Sequence, residues 1–299
     1  MISVIVATRN NQLLQQLSDN IQKSIGLEYE IIAINGDKAG KGICRIYNEG
    51  AAKAQYPFLC FVHEDILFHT QGWGLNLLKH LRQEDIALVG VLGATVKTRT
   101  PSEVFIPVDN LVRFNQLQRR TGKTPEHYFY NPNKEDSSEV KVVDGLFLAC
   151  TQVNHARYPF DEQTLKGFHG YDIDFSLGQA NNGKVVVVYD ILLEHFSYGG
   201  HSVSWIDDQM ILLKKWHAEL PAYLPSAQKS ILKAEINSTE GFLLDLILNR
   251  YSTATQLSYL LKLLALRPFN SKNIYFIRRF FIRGTLGKQL KKLFSSSVH

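Results

Sequence analysis

The sequence predicts an α/β protein whose mixed, mostly parallel sheet is flanked by helices. Apolar, β-branched runs alternate with amphipathic segments along residues 1–94, the rhythm of a parallel sheet covered on both faces. Polar or ionisable residues follow several of these runs, as expected where the carboxyl ends of strands form a binding crevice. The 299 residues are 45% hydrophobic, so they can build a large core and global disorder is excluded.

The first elements are defined by their apolar periodicity. Residues 2–7 (ISVIVA) predict a strand, and Asn10 is placed to cap the amphipathic helix that follows. YEIIAING predicts a second strand, and a second helix starts after Gly42. FLCFV, residues 58–62, predicts a buried third strand. A helix near Trp73–Leu81 and the apolar segment IALVGVLGA continue the alternation.

The later elements are less regular. Residues 97–139 are polar and contain four prolines, which predicts a long irregular insertion. VKVVDGLFLAC and KVVVVYDILLEH predict strands, and GYDIDFSLGQANNG predicts a short helix that ends at Gly183. The chain is predicted to be helical after Trp216. We therefore divide it into a main domain, 1–216, and a helical C-terminal region, 217–299.

The charge is distributed unevenly along the chain. Residues 246–299 contain ten Lys or Arg and no acid, whereas the remaining residues carry a formal charge of −5. IYFIRRFFIRGTLGKQLKKLF, residues 274–294, predicts a basic amphipathic helix. Such a helix can lie on an anionic membrane, or it can pack on the main domain or on a second subunit of an oligomer. A nucleic-acid partner is not predicted, because no recognition motif is present.

Localisation is predicted from what the chain lacks. No apolar run reaches the ~18 residues of a membrane span, and the N-terminus lacks the features of a signal peptide. The odd number and wide spacing of Cys44, Cys60 and Cys150 predict buried thiols rather than disulfides or a zinc site. We expect a cytoplasmic protein, peripheral on the inner face of the cell membrane if the basic helix binds lipid.

Polar or ionisable residues collect where the first three predicted strands end. They are Thr8, Arg9, Asn35, His63, Glu64 and Asp65. An aspartate close to a histidine at a strand end suits a divalent ion, Mg²⁺ or Mn²⁺. A solvated surface turn explains His63, Glu64 and Asp65 equally well. The chain has no G-x-G-x-x-G after its first strand and no phosphate-binding P-loop, which argues against dinucleotide binding and P-loop chemistry.

Further polar residues occur at unusual places downstream. Asp144 and Gly145 interrupt an apolar stretch, where a charge is costly unless it is used. Asp172 and Asp174 begin a predicted helix, whose dipole favours ionised carboxylates. His195 follows an apolar strand and precedes a Gly-Gly pair. Each has a structural alternative, such as a core histidine or a helix cap.

Taken in order, these segments resemble a known family. Residues 1–216 are similar to family 2-type inverting glycosyltransferases with the nucleotide-diphospho-sugar (GT-A) fold. The similarity is carried by ISVIVATRN, YEIIAING, the helix with N-x-G, and GYDIDFSLGQANNGKVVVVYDILLEH. FVHEDILF, GWG, VDGLF, FHGYDID and EHFSYGG further resemble the H-x-D branch typified by streptomycin-biosynthesis-type glycosyltransferase-like proteins.

The sequence departs from the family pattern at several positions. His63 replaces the first Asp of D-x-D, and Tyr171 replaces the Glu before the proposed catalytic Asp. Asn35 replaces an acid that contacts the nucleoside, although Asp37 lies nearby, and Gln179 stands where an Arg is common. These departures leave the donor base open, and they keep a non-catalytic sugar-nucleotide or glycan-binding protein as the alternative.

The resemblance implies a role for each residue. Asp65 and His195 would hold Mn²⁺ or Mg²⁺, His63 would ligate the metal or bind a phosphate, and Asp172 would be the catalytic base. The substrate-binding residues implied are Thr8, Arg9, Asn35, Asp37, Asn48, His63, Glu64, Asp144, Gly145, Asp174 and Trp205.

The implied reaction is sugar transfer from a nucleotide-diphosphate sugar. A UDP-sugar is favoured as donor, and the acceptor would be a glycan or a lipid-linked molecule. The insertion 97–139 is expected to shape the acceptor site. A nucleotidyltransferase is the competing enzyme class, and the missing Gly-rich loop after the first strand argues against it.

Overall fold

The computed structural model describes residues 1–36, 41–106, 108, 110–120, 122–196 and 200–283. Its strands are β1 (Ile2–Thr8), β2 (Tyr29–Asn35), β3 (Phe58–His63), β4 (Ile66–Phe68), β5 (Ile86–Gly90), β6 (Leu92–Ala94), β7 (Val96–Lys97), β8 (Val112–Gln118), β9 (Glu126–Tyr130), β10 (Ser137–Val140), β11 (Val142–Val143), β12 (Phe147–Thr151), β13 (Lys184–Val188), β14 (Leu193–His195) and β15 (Ala222–Tyr223). Its helices are α1 (Asn11–Ser24), α2 (Ile43–Lys53), α3 (Trp73–Leu81), α4 (Gln152–Arg157), α5 (Tyr171–Gln179), α6 (Val203–Lys215), α7 (Ile231–Leu248), α8 (Thr253–Leu266) and α9 (Asn273–Arg283), with a 3-10 helix at Pro225–Ser230.

The central sheet has the order β10-β13-β5-β12-β3-β1-β2. β1 is parallel to β2 and β3, and β13 is parallel to β5. β12 runs antiparallel between β3 and β5, and β10 is antiparallel to β13. The mixed α/β fold with flanking helices is confirmed, and parallel pairing covers one half of this sheet's neighbour pairs.

Apolar clusters cover both faces of the sheet. Leu59 and Phe61 of β3 belong to the cluster that includes residues of α2 and α5. Cys60 and Val62 belong to the cluster on the other face, with residues of α1 and α3. Each large apolar side chain buried this way contributes about 1.5–3 kcal/mol. Burial on both faces explains why the strand is an unbroken apolar run rather than an alternating one.

Local predictions for the first half are confirmed. The Asn10 side chain caps α1 by accepting hydrogen bonds from the backbone N–H of Gln12 and Leu13, at 2.9 and 3.3 Å. The predicted helix at Trp73–Leu81 is α3. All three cysteines are buried free thiols.

A second sheet has the order β11-β6-β8-β14-β4, with β9 paired to β8. It includes the hairpin β8–β9, so the prediction of an irregular insertion at 97–139 is wrong there. Arg113, Asn115 and Gln116 of β8 are buried although they are polar. The Asn115 amide donates to the carbonyl of Tyr189 at 2.7 Å, and Arg113 donates to the carbonyl of Val112 at 2.7 Å. These hydrogen bonds help to bury polar residues in the strand, and the polarity of β8 explains why the apolar sequence pattern did not predict it.

The C-terminal region is helical, as predicted, and it packs on the end of the main domain. Trp205 and Ile206 of α6 share an apolar cluster with Phe242 of α7, Leu260 of α8 and Phe276 of α9. The predicted boundary at 216 lies just after α6. Within the described residues, no helix has both the length and the apolarity that a membrane span requires.

Candidate active site

A cavity of about 700 Å³ lies where β1 and β3 end and α5 begins. β1 and β3 are parallel neighbours with Ala7 opposite His63, so the residues after them lie at the same edge of the sheet. The cavity wall contains many of the residues singled out in the sequence. They are Thr8, Arg9, His63, Glu64, Asp65, Asp144, Gly145, Asp172, His195 and Trp205.

His63, Asp65 and His195 form a group that could hold a metal ion, with ligand atoms all within 4.8 Å of one another. Asp65 Oδ1 lies 4.0 Å from His63 Nδ1, and Asp65 Oδ2 lies 3.6 Å from His195 Nε2. β14 brings His195 to this place because it runs antiparallel to β4, with His195 opposite Ile66. The turn between β3 and β4 carries Asp65, so neighbouring strand ends build the group.

The hydrogen bonding of His63 fits a metal ligand. Tyr171 Oη donates to the carbonyl of Gly145 at 3.1 Å and lies 2.7 Å from His63 Nε2. With the Tyr171 proton donated to Gly145, the ring proton of His63 lies on Nε2, which leaves the Nδ1 lone pair on the side of Asp65. Burial lowers the pKa of His63 to about 4, which keeps the imidazole neutral. A neutral imidazole fixed by a hydrogen bond at its other nitrogen is the usual form of a histidine ligand.

Gly145 allows the close approach of Tyr171. A Cβ at position 145 would lie 2.0 Å from Tyr171 Oη. The break between β11 and β12 therefore places a glycine beneath the tyrosine hydroxyl that holds His63. The sequence marked Gly145 as a site residue, but the tertiary contact that requires glycine was not visible.

Two partly buried carboxylates share another part of the wall. Asp172, the second residue of α5, accepts a hydrogen bond from the backbone N–H of Gly145 at 3.2 Å. Asp144 accepts one from the N–H of Leu146 at 3.0 Å. Burial and the nearby Asp144 carboxylate raise the pKa of Asp172 to about 7, and burial also raises the pKa of Asp144. A carboxylate with such a pKa can accept a proton near neutral pH.

Glu64 lies in the cavity wall and is engaged by the β1–α1 turn. Its Oε2 accepts hydrogen bonds from Thr8 Oγ1, from the backbone N–H of Arg9 at 2.9 Å and from that of Asn10 at 3.0 Å. The carboxylate thus ties the end of β1 to the turn that carries Asp65. Glu64 therefore orders the backbone of the β1–α1 turn and also lines the cavity.

Asn48 and Asp174 do not line the cavity. The Asn48 amide donates to the carbonyl of Phe160 at 2.8 Å and accepts from its N–H at 3.1 Å, which anchors α2. Asp174 is 1% exposed and pairs with Lys215 and Trp216, both at 2.7 Å. The contacts of Asn48 fix the position of α2, and those of Asp174 hold α5 against α6.

The two remaining predicted residues follow β2. Asn35 ends that strand and is outside the cavity wall. Asp37 lies outside the described residues.

Several residues that line the cavity were not predicted from the sequence. Lys166 and Lys41 also line the cavity, and the Lys41 Nζ pairs with Glu49 at 2.7 Å. The Arg9 guanidinium lies 5.7 Å from the ring centroid of Phe168, which is itself 5.8 Å from the ring of His63. Phe168 stands in the motif FHGYDID and could have been noticed there, whereas no local pattern marks either lysine. Phe105, Gln116 and Gln118 line the cavity as well; they belong to the segment 97–139 that was expected to shape the acceptor site, although none of them was singled out.

Comparison with known proteins identifies a family. Residues 3–211 match the family described as "Glycosyltransferase like family". No curated protein matches the chain.

Three solved structures resemble the chain at low sequence identity. TarS 1-349 from S. aureus is 13% identical, with a TM-score of 0.51, over 83% of this chain and 78% of TarS. The mannosyltransferase PcManGT from Pyrobaculum calidifontis, in complex with GDP-Man and Mn²⁺, is 12% identical, with a TM-score of 0.49, over 94% of this chain and 86% of PcManGT. GalNAc-T7 with UDP, GalNAc and Mn²⁺ is 12% identical, with a TM-score of 0.47, over 67% of this chain and only 43% of GalNAc-T7. The similarity to TarS shows a shared fold.

Proposed function

The chain belongs to the glycosyltransferase-like family and is a glycosyltransferase of GT-A fold, and from this premise we propose its reaction. It transfers a sugar, with inversion, from a nucleotide-diphosphate sugar to an acceptor hydroxyl in surface glycan or glycoconjugate synthesis. A UDP-sugar is the favoured donor, and a glycan or lipid-linked molecule is the acceptor. The observation that carries the proposal is one cavity that contains both a His-Asp-His group and a separate, partly buried carboxylate, Asp172, whose pKa is raised to about 7.

The donor diphosphate is proposed to lie beside the His-Asp-His group. His63, Asp65 and His195 would hold a divalent ion, and two imidazoles with one carboxylate suit Mn²⁺ better than Mg²⁺. When bound, such an ion offsets the negative charge of the leaving diphosphate. Arg9 in the same wall adds positive charge for the phosphates.

Asp172 is proposed as the base on the acceptor side. It takes the proton of the acceptor hydroxyl while that oxygen attacks the anomeric carbon from the face opposite the nucleotide. The diphosphate leaves as the new bond forms, so a single displacement inverts the configuration without a covalent enzyme intermediate. Asp144 supports this role because its nearby carboxylate disfavours the ionised form of Asp172, which strengthens Asp172 as a proton acceptor.

A thermal-shift screen tests the donor. UDP-, dTDP-, GDP- and CMP-sugars are each added with and without Mn²⁺. A ligand at one hundred times its Kd stabilises the folded protein by about 2.7 kcal/mol, which a melting curve detects. We expect a UDP-sugar to raise Tm only with Mn²⁺, and release of UDP on addition of acceptor would follow as the activity readout. Stabilisation by every nucleotide sugar in the presence of chelator would contradict the proposal.

We also propose that the enzyme is cytoplasmic and binds the inner face of the cell membrane peripherally. The support is the absence of acids after residue 245, together with apolar side chains exposed on α9. Phe276 and Phe280 of α9 pack on α7 and α8, whereas Ile274 and Phe281 are 61% and 48% exposed. The predicted basic residues Lys288, Lys291 and Lys292 lie outside the described part of the chain.

A further inference from the structure

We propose that the hairpin β8–β9 binds an extended, uncharged oligosaccharide that leads into the cavity. The binding surface is an aromatic floor, which we define as Phe105, Phe114, Tyr128 and Tyr130. The inference rests on the proposed function, because it names the acceptor of that reaction as a chain of several sugar units. The acceptor hydroxyl belongs to the sugar at the cavity end of this chain.

The register of the hairpin places the aromatic floor on the cavity side. Tyr130 pairs with Phe114 and Tyr128 pairs with Gln116, so these side chains share one face of the sheet. Gln116 and Gln118 lie on that face and are part of the cavity wall. The rings therefore continue the cavity wall outward along the hairpin.

The rings form a connected path. Phe105 lines the cavity and is 46% exposed, and its ring centroid lies 6.2 Å from that of Phe114. Phe114 lies 6.0 Å from Tyr130 and 6.5 Å from Tyr128. Each step is comparable to the length of one hexose unit. A ligand that leaves the cavity over Phe105 thus meets aromatic rings at sugar-sized intervals.

The polar groups around the rings fit sugar hydroxyls. Gln116 and Gln209 both line the cavity and are 7% and 2% exposed, and in each the side-chain Oε1 has no hydrogen-bond partner among the described residues. A buried amide oxygen without a partner costs about 1–3 kcal/mol, so rotation of either amide toward the cavity, where its oxygen accepts from a ligand hydroxyl, is favoured. At the other end, the Tyr128 hydroxyl donates to Glu126 at 3.0 Å and accepts from Arg120 at 3.3 Å. Because these two charges offset each other, the surface favours an uncharged chain.

Sugars match this combination of surfaces. A pyranose ring presents an apolar face of C–H groups, which packs on the electron-rich face of an aromatic ring, and a rim of hydroxyls that donate to amide oxygens. If the surface binds a peptide instead, its affinity for oligosaccharides would not increase with the number of sugar units, and the test below measures that dependence.

The experiment measures binding of the full chain to immobilised neutral oligosaccharides of increasing length. The wild type is expected to bind at least one series, more tightly as units are added. Phe105→Ala and Tyr128→Ala should each weaken binding by roughly three- to tenfold, the worth of one aromatic contact. Phe105→Trp keeps a platform and should keep the binding.

Phe129→Ala is the matched control. Phe129 is on the same strand and is 54% exposed, but its pairing with Asn115 places it on the opposite face, where it contacts Tyr189. Its replacement removes a similar aromatic ring and should leave oligosaccharide binding unchanged. An equal loss in Phe129→Ala, or no binding of any oligosaccharide by the wild type, would overturn the inference.

The donor screen runs in parallel on the same variants. Phe105→Ala and Tyr128→Ala should retain the full Tm shift with UDP-sugar and Mn²⁺, because neither is placed at the donor. Oligosaccharide binding without any donor shift in the wild type would count against the proposed function and leave the aromatic floor supported. A Tm shift with donor but no length-dependent glycan binding would support the proposed function and contradict the aromatic floor as a binding surface.

Discussion

Tyr171 connects the two chemical groups of the cavity. Its hydroxyl holds His63 by a 2.7 Å hydrogen bond, and the next residue in α5 is Asp172. A shift of the first turn of α5 would therefore move both a candidate metal ligand and the candidate base. The hydrogen bond from Gly145 N to Asp172 fixes the same turn to the strand side of the cavity.

The first prediction at the residue scale concerns Asp65→Asn. Asp65 is the acid between the two histidines, and an amide oxygen is a much weaker ligand than a carboxylate for a divalent ion. The variant should lose the Mn²⁺-dependent Tm shift with nucleotide sugar while its Tm without ligand stays near that of the wild type. Asp172→Asn is the control, because it should keep the shift. Unchanged activity of Asp65→Asn in chelator would rule out the metal site.

The second prediction concerns Asp172→Asn. Loss of a general base typically reduces the rate by about 10²–10⁴-fold, and an amide cannot take the proton. We expect transfer to fall by this factor while donor binding is retained. Single-turnover rates and the donor Tm shift measure the two effects separately. Near-normal transfer in Asp172→Asn, with transfer abolished in Asp144→Asn, would assign the base to Asp144 instead.

The third prediction is the pH dependence that follows from the raised pKa of Asp172. Transfer should rise with pH through about 7, as the Asp144–Asp172 pair loses a proton, and this rise should be absent in Asp172→Asn. The folded pKa lies above the unfolded value of about 3.9. The stability that the buried neutral carboxyl contributes is therefore present at low pH and lost as pH rises through about 7. Asp172→Asn cannot ionise, so its Tm should exceed that of the wild type near pH 8, with a smaller difference near pH 5.

At the scale of elements, the break between β11 and β12 fixes the position of α5. The fourth prediction is that Gly145→Ala displaces Tyr171, since the added Cβ would overlap the hydroxyl. Loss of the hydrogen bond that orients a metal ligand typically costs about 10–100-fold in metal affinity. Mn²⁺ titration should show this loss, and Gly241→Ala in α7 serves as the control, since a Cβ there meets no atom within 4 Å and the backbone is helical. Metal affinity unchanged in Gly145→Ala would show that Tyr171 does not orient His63.

The elements that sequence reasoning recovered are those buried on both faces. β1 and β3 are apolar runs because each face packs on helices, and the residues that follow them meet because parallel strands end together. The hairpin β8–β9 was not predicted because several buried residues of β8 are polar, such as Asn115, whose amide donates to a backbone carbonyl. The aromatic floor escaped with it, since its rings meet only through the register of that hairpin.

Site residues that directly follow strands were predicted correctly to lie together. The positions of side chains that depend on contacts distant in sequence were not predicted. Asp65 and His195 were paired by the family resemblance and by their positions after strands, and the structure brings them within reach of one ion together with His63. Asp174 shares the same motif as Asp172, but the contact with Lys215 that draws its side chain away comes from the distant α6. No local pattern reports that contact.

At the scale of the whole molecule, the C-terminal helices support the wall of the cavity. Glu235 of α7 accepts hydrogen bonds from the backbone N–H of Arg99 and from Thr100 Oγ1, the latter at 3.2 Å. Thr98 donates to Ser238 at 3.1 Å. These contacts hold the segment that leads from β7 to Phe105.

The last prediction concerns the membrane. Among the described residues, the outward side of α9 combines Ile274, Tyr275 and Phe281, which are 61%, 46% and 48% exposed, with Arg278 and Arg279. Each basic residue near an anionic surface contributes about 1 kcal/mol, and the apolar side chains can enter the headgroup region.

The full chain should therefore float with anionic vesicles at low salt and detach at about 1 M salt, where the Debye length falls to about 3 Å. Phe281→Glu should bind less, because it places a charge in the apolar contact and adds repulsion. Leu75→Glu is the matched control, since Leu75 is 56% exposed on α3, in the main domain. If the wild type remains with the soluble fraction at low salt and light scattering shows a dimer that Phe281→Glu dissociates, then a second copy of the chain, and not lipid, covers α9.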